Sequence, residues 1–326
     1  MRLGVLDVGS NTVHLLVVDA HFGAHPTPTA SEKTVLRLSE HLDASDCLTD
    51  AGADELVGVV DRANIAASVA GCADVLAFAT SALRDAVNSA AVLARVRMET
   101  GVVLHVLPGD DEARYTFLAV RRWYGWSAGR LLVLDIGGGS LELGAGRDEH
   151  PDVAASLPLG AGRLTREWFS SDPPSRQEIT ALSEQLDVEL APLALQVHGN
   201  GDAELAVSRS KTFRSLARLT GAAPSSAGLR VRRVLTDVGL RQLVAFISRM
   251  SSRDLGELEG VSPGRAHQLV AGALVADASM RALRLQELEI CPWVLREGVI
   301  LRRLDTLSGT LAILRTVAAT ASAHPL

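Results

Sequence analysis

Short apolar runs rich in β-branched residues alternate with longer stretches of helical periodicity along this 326-residue chain. Residues 3–8, 12–19 and 33–39 are too short and too branched to read as helices, and they are predicted as strands. Residues 50–70 repeat apolar positions at helical spacing; a strand at 74–79, a helix at 88–99, a strand at 102–107 and a helix opening near Asp110 follow. The order then restarts, with paired strands within 130–146 and a strand at 153–158. Helices are predicted at 161–169, 175–195, 211–220, 236–251, 263–284 and 293–307, with one strand at 203–208. Pro173-Pro174 and residues 223–228 read as loops, and Leu314 to Leu326 as a tail or a helix returning to the first unit. This pattern predicts an α/β protein of two units, 1–122 and 123–326, with the C-terminal helix a candidate addition to the first.

Two of the turns between strands share a phrase. Asp7-Val8-Gly9-Ser10-Asn11-Thr12 and Asp135-Ile136-Gly137-Gly138-Gly139-Ser140 each lie between two apolar runs, so each reads as strand, tight turn, strand. Glycine lets backbone come close to a ligand and aim successive N–H groups into one concavity, where the hydroxyls of Ser10, Thr12 and Ser140 add donors. The aspartate ending each preceding strand would stand beside a bound anion, which requires a divalent cation between them. The pair of turns therefore predicts phosphate with a metal ion, whereas either one alone reads sooner as an ordinary β-turn. Asp135 and Glu142 flank the second turn and can face one point, so they are the predicted ligands of Mg²⁺, with Mn²⁺ as the alternative and Asp7 as a third candidate. For Glu142 the competing reading is a solvent-facing strand residue.

Composition narrows the class. With 47% apolar residues the chain can bury two substantial cores. Cys47, Cys72 and Cys291 have neither paired nor zinc-ligand spacing, which predicts a reducing compartment. The Met1-Arg2 start runs directly into a strand, and no apolar run approaches the roughly 18 residues of a membrane span, so a cytoplasmic location without membrane contact is expected. The net charge of −6 divides unevenly: residues 1–200 hold 15 basic against 27 acidic residues, and residues 201–326 hold 17 against 11. The halves thus carry −12 and +6. Lys211, Arg214 and Arg218 at helical spacing, followed by Arg230, Arg232 and Arg233, read either as a track for a phosphate chain or as a solvated face.

Further segments join the two turns in a specific order: Thr80-Ser81-Ala82-Leu83-Arg84-Asp85-Ala86-Val87-Asn88, Gly109-Asp110-Asp111-Glu112-Ala113-Arg114, the stretch from Leu157 to Thr165, and Leu295-Arg296-Glu297-Gly298. Together they resemble the exopolyphosphatases and guanosine pentaphosphate phosphohydrolases, the Ppx/GppA phosphatases of the actin-like superfamily. The resemblance implies two actin-like (ribonuclease H-like) domains, each a mixed sheet flanked by helices, with the active site in the interdomain cleft. It implies that Glu112 is the general base for an attacking water. Asp110 and Asp111 read as helix-capping acids, a role that sequence alone would also allow Glu112. Gly9, Ser10, Asn11 and Thr12, with Gly137, Gly138, Gly139 and Ser140, would hold the phosphates flanking the scissile bond. Arg84 and Arg163 would clamp phosphate oxygens or serve as structural ion pairs. His14 reads as a packing residue. A homodimer is expected, and nucleic acid is not an expected partner.

The chain departs from the family pattern in places. A glycine-rich loop before the helix near 211 is replaced by Ser208-Arg209-Ser210-Lys211-Thr212, where Arg209 and Lys211 can still draw an anion to a helix N-terminus. Pro108 and Leu141 replace a serine and a threonine, and His267 stands where an aspartate is common. The leading expectation is release of orthophosphate from the end of inorganic polyphosphate. The alternatives are hydrolysis of the 5′ γ-phosphate of guanosine pentaphosphate, an actin-like sugar kinase or chaperone-type ATPase, and a non-catalytic sensor of polyphosphate or an alarmone such as guanosine tetraphosphate.

Overall fold

A computed structural model describes residues 1–307 except Phe22 and Ala24, so the expectation for 314–326 lies outside the described residues. The first unit contains β1 (Arg2–Val8), β2 (Thr12–Asp19), β3 (Pro28–Val35), α1 (Asp50–Val69), β4 (Asp74–Ala79), α2 (Ser81–Asp85), α3 (Ser89–Thr100) and β5 (His105–Val106). α4 (Gly109–Tyr124) leads to the second sequence of elements: β6 (Leu131–Ile136), β7 (Leu141–Gly146), β8 (Val153–Leu157), α5 (Ala161–Trp168), α6 (Arg176–Gly199), β9 (Leu205–Ser208) and α7 (Lys211–Leu219). β10 (Val234–Thr236), α8 (Asp237–Ile247), α9 (Ser252–Gly256), α10 (Leu269–Ala282) and β11 (Glu287–Ile290) follow, and α11 runs from 295 to the last described residue, 307.

Two sheets of matching topology result. The first has the order β3-β2-β1-β4-β5 and the second β10-β11-β9-β6-β7-β8. In each, three antiparallel strands are extended by parallel ones, β4 and β5 beside β1, and β9 and β11 beside β6. These are the two mixed sheets flanked by helices that the sequence leads one to expect.

Several elements depart from expectation for physical reasons. The third strand is Pro28–Val35 rather than 33–39, because an edge strand accepts the polar Thr29, Ser31, Glu32 and Lys33 that break its apolar pattern. The strand expected at 102–107 shortens to two residues, since only His105 and Val106 find partners on β4. Residues 263–268 form a 3-10 helix ahead of α10 rather than its first turns. β10 and β11 are too short to have declared themselves by alternation, and they exist as additions to the β9 edge.

The connecting helices cross between sheets. α4 buries Phe117 and Val120 with Leu131, Val133 and Val207, all of the second sheet. α11 buries Leu295, Ile300 and Leu304 against Leu3, Val5, Leu16 and Val18 of the first. Where the two helices touch, Gly298 lies against the carbonyl of Tyr115 with no space for a Cβ. Glu297 accepts the N–H of Val294 at 2.8 Å and so closes the entry to α11. This accounts for Glu297 and Gly298 in the Leu295-Arg296-Glu297-Gly298 phrase. Gly298→Ala must separate the helices and is expected to lower stability by about 1–3 kcal/mol; an unchanged urea midpoint would refute this packing.

Candidate active site

Both glycine turns are closed in the same way. Gly9 N–H donates to the Thr12 carbonyl at 3.0 Å, and Gly137 N–H to the Ser140 carbonyl at 2.8 Å. Behind each turn, other amides bind its carbonyls. Leu36 and Arg37 donate to the Asn11 carbonyl and Ser39 to that of Ser10, while Ala161 donates to Gly137 and Gly162 and Arg163 to Gly138. With their carbonyls tied back, the turns present N–H groups forward: those of Ser10, Asn11 and Gly138 meet no carbonyl among the described residues. Gly160 packs so tightly on Gly139 and Ser140 that a Cβ would overlap their backbone, which is why the stretch before α5 carries glycine there.

The turns face each other across a cleft of about 280 Å³. Gly9, Ser10, Asn11, Thr12, Gly137, Gly138 and Ser140 line it, with Glu112, Asp135 and Lys211. Gly139 is instead packed behind the surface, where a Cβ would meet Ser81 Oγ at 2.6 Å. Ser10 Oγ and Ser81 Oγ lie 2.8 Å apart in the same seam.

Asp7, Glu112 and Asp135 line the cleft, and Glu142 lies beneath its surface. The register pairs Asp135 with Glu142 across the second hairpin and Asp7 with His14 across the first, the same offset in both. Glu142 is only 3% exposed and accepts from Ser156 Oγ at 3.0 Å, so it is no solvent-facing strand residue. Burial pushes Asp135 up to about 7, with Glu112 adding to the effect and Arg209 opposing it. Burial and then the Asp135 charge push Glu142 up to about 7. Burial, then Glu142, raises Glu112 well above the usual carboxylate range, against the pull of Arg84. Neither Asp135 nor Glu142 has an ion-pair partner among the described residues. Asp7, by contrast, is tied to Arg296 at 2.8 Å.

Arg84 reaches this cluster from α2. It donates to Glu112 at 3.0 Å, to the Leu107 carbonyl at 3.3 Å and to Ser140 Oγ at 3.4 Å. Gly109 makes room for the approach of α4, since a Cβ there would overlap Ser156. Arg163 does not enter the cleft; it pairs with Asp85 across the seam between the units. His14 lines the cleft, bonds Ser31 Oγ at 2.7 Å, and is held neutral to about pH 4 by burial and Arg296.

Cations line the same cleft, within electrostatic reach of Asp135. Lys33, Arg209, Lys211, Arg214 and Arg265 all line the cleft, and none has an ion-pair partner among the described residues. Arg209 is pushed down to about 10 by burial and by Arg214 and Arg296. The same causes, burial and neighbouring cations, lower Lys33, Lys211, Arg214 and Arg265. Ser210 caps α7 by accepting from Phe213 N–H at 3.2 Å, so Lys211 and Arg214 stand in its first turn, where the helix dipole disfavours positive charge. The predicted basic stripe therefore divides. Arg218 pairs with Glu259, Arg232 with Glu287 and Glu289, Arg233 binds carbonyls, and Arg230 stacks on Trp123. Lys33 and Arg265 escaped the sequence reading because each is a single cation in a distant segment; only the fold brings them to Lys211.

The model of the Ppx/GppA phosphatase family matches residues 17–307. The chain belongs to that family. Exopolyphosphatase 1 of Mycobacterium tuberculosis is 63% identical over 97% of this chain and 92% of its own length, and exopolyphosphatase 1 of Mycobacterium leprae 62% identical over 97% and 93%. The crystal structure of an Aquifex aeolicus Ppx/GppA family member is 25% identical with a TM-score of 0.78, covering 94% of this chain and 98% of that one. An exopolyphosphatase from Cytophaga hutchinsonii, 22% identical over 94% and 98%, shares the fold with a TM-score of 0.84. In this Ppx/GppA chain the Asp135 charge helps hold the proton on Glu142, so Asp135→Asn is expected to lower the Glu142 pKa while burial keeps it above the ordinary 4.5. Carboxyl-carbon NMR titration checks this, and an unmoved Glu142 would contradict the coupling.

Proposed function

We propose that this chain is an exopolyphosphatase, a phosphoanhydride hydrolase that releases terminal orthophosphate from inorganic polyphosphate. One observation carries the reading: five cations without an ion-pair partner among the described residues, partly at a helix N-terminus that disfavours them, line one cleft with two phosphate-type turns. Mutual repulsion and burial make that arrangement costly without a polyanion. Three unpaired cysteines support a reducing, cytoplasmic setting.

The terminal phosphate fits between the turns, whose forward N–H groups donate to its oxygens. Glu112 accepts the proton of the attacking water, and Arg84 fixes the carboxylate's direction. Arg209, Lys211, Arg214 and Arg265 hold the remaining chain and stabilise the charge that collects on the leaving phosphate.

The donor set beside the turns suits a hard divalent cation: a cleft-lining Asp135 and a buried Glu142, both without an ion-pair partner among the described residues and offering oxygen ligands only. Among the described residues no third His, Cys, Asp or Glu completes an all-protein cage, so water and phosphate oxygens would fill the other positions. Asp135 and Glu142 would hold Mg²⁺, which when bound supplies charge neutralisation at the phosphoryl oxygens. With the Glu142 charge offset in this way, Arg84 favours the ionised Glu112 that the base role needs.

Glu112→Gln is expected to lower kcat about 10²–10⁴-fold with KM little changed, measured as phosphate release; near-wild-type turnover would reject the base. Because Asp135 and Glu142 take up protons at about pH 7, protons and Mg²⁺ compete. Activity should therefore fall as pH drops through neutrality, and more Mg²⁺ should move that fall to lower pH; a Mg²⁺-independent profile would reject the assignment. Turnover of guanosine pentaphosphate equal to that of polyphosphate would overturn the substrate preference.

A further inference from the structure

His267 and Gln268 end the 3-10 helix before α10, and the steps above use neither. Gln268, 5% exposed, reaches across the seam to Asn11, 4% exposed, in the first phosphate turn. Asn11 Nδ2 donates to Gln268 Oε1 at 3.4 Å, and Gln268 Nε2 donates to Asn11 Oδ1 at 3.1 Å, a reciprocal amide pair. The other Nε2 hydrogen goes to His267 Nε2 at 3.1 Å, which accepts it as a neutral imidazole with its own proton on Nδ1. Every hydrogen on that nitrogen is thereby used. With the imidazole proton on Nδ1, rotating the carboxamide by half a turn would set oxygen against Asn11 Oδ1 and against the His267 lone pair, so this tautomer and the amide orientation that binds Asn11 stabilise each other. The same amide packs on the second turn's support: a Cβ at Gly162 would lie 3.0 Å from Gln268 Nε2 and 3.1 Å from the Gly138 carbonyl.

We propose that Gln268 is a positioning residue for phosphate binding, which clamps Asn11 and the first turn against the second, and that the neutral His267 imidazole sets its orientation. The proposal rests on these turns being the phosphate site of the proposed activity. A proton on His267 Nε2 replaces an acceptor with a donor facing the Gln268 amino group. Glu40 Oε1, 3.7 Å away, gives the imidazolium another partner. Burial holds His267 below its ordinary 6.5; Arg37 acts with burial, and Glu40 and Asp172 act against it. The clasp's contribution is thus fully present above 6.5 and lost as pH falls through the lower value kept in the folded protein.

Hydrogen exchange of the unliganded full chain tests this without turnover. Gln268→Met should speed exchange of the peptide covering 9–12 by about tenfold, with α6 peptides unchanged as the check on folding. In the wild-type protein the same peptide, corrected for intrinsic rates, should loosen between about pH 7.5 and about pH 5.5, and His267→Leu should abolish that loosening. In polyphosphate hydrolysis, Gln268→Met should raise KM about five- to tenfold with kcat within about twofold. Unchanged exchange in Gln268→Met, acid loosening that persists in His267→Leu, or a loss confined to kcat would each overturn the clasp. Absence of hydrolysis in the wild-type protein would count against the proposed activity alone, since the exchange outcomes stand without it.

Discussion

A peptide turn can hold phosphate only if its carbonyls point elsewhere. In both hairpins that condition is met from outside the turn, by amides of residues 36, 37 and 39 on one side and of 161, 162 and 163 on the other. Much of the surrounding structure follows from this requirement. Gly160 must lack a side chain for α5 to arrive close behind the second turn, and Arg37 adopts a left-handed backbone as the chain turns behind the first. The glycines within the turns are the visible part of the device, and the segments that orient them lie far away in sequence.

The two hairpins share register and closure but have diverged in charge. The second keeps Asp135 opposite Glu142, neither with a counter-ion among the described residues and Glu142 buried. The first keeps Asp7 opposite His14, with Asp7 neutralised by Arg296 and the imidazole held uncharged. Duplicated geometry thus yields one turn suited to phosphate with a cation and one suited to phosphate alone. The unpaired cations of the same cleft add the opposite charge within reach of Asp135, and burial sharpens each charge by depriving it of water.

Glu112 and Arg296 reach this cleft through the exchanged helices. α4 starts at the cleft and packs on the second sheet, while α11 starts at the cleft and packs on the first. Each helix therefore carries a cleft residue at its amino end and binds the sheet that its sequence position would not suggest. The Gly298 and Tyr115 contact is where these two crossings meet, which gives a packing reason for a glycine far from the chemistry.

Local information sufficed for much of this. The alternation of branched apolar runs located the two hairpins, α1, β4 and most later helices, because strand and helix periods are properties of neighbouring residues. The repeated turn phrase located Asp135 and the two facing turns for the same reason, whereas Glu112 was singled out by the family resemblance of the Gly109 to Arg114 segment rather than by any local period. Tertiary structure alone decided which charges stay unpaired: among the described residues Arg163 and Arg218 found carboxylates, whereas Lys33, Arg209 and Arg265 did not. It also decided that α4 and α11 exchange sheets, that β10 and β11 form at all, and that Gln268 meets Asn11. Each of these depends on distance through space between groups separated by tens to hundreds of residues, and no local pattern encodes that distance.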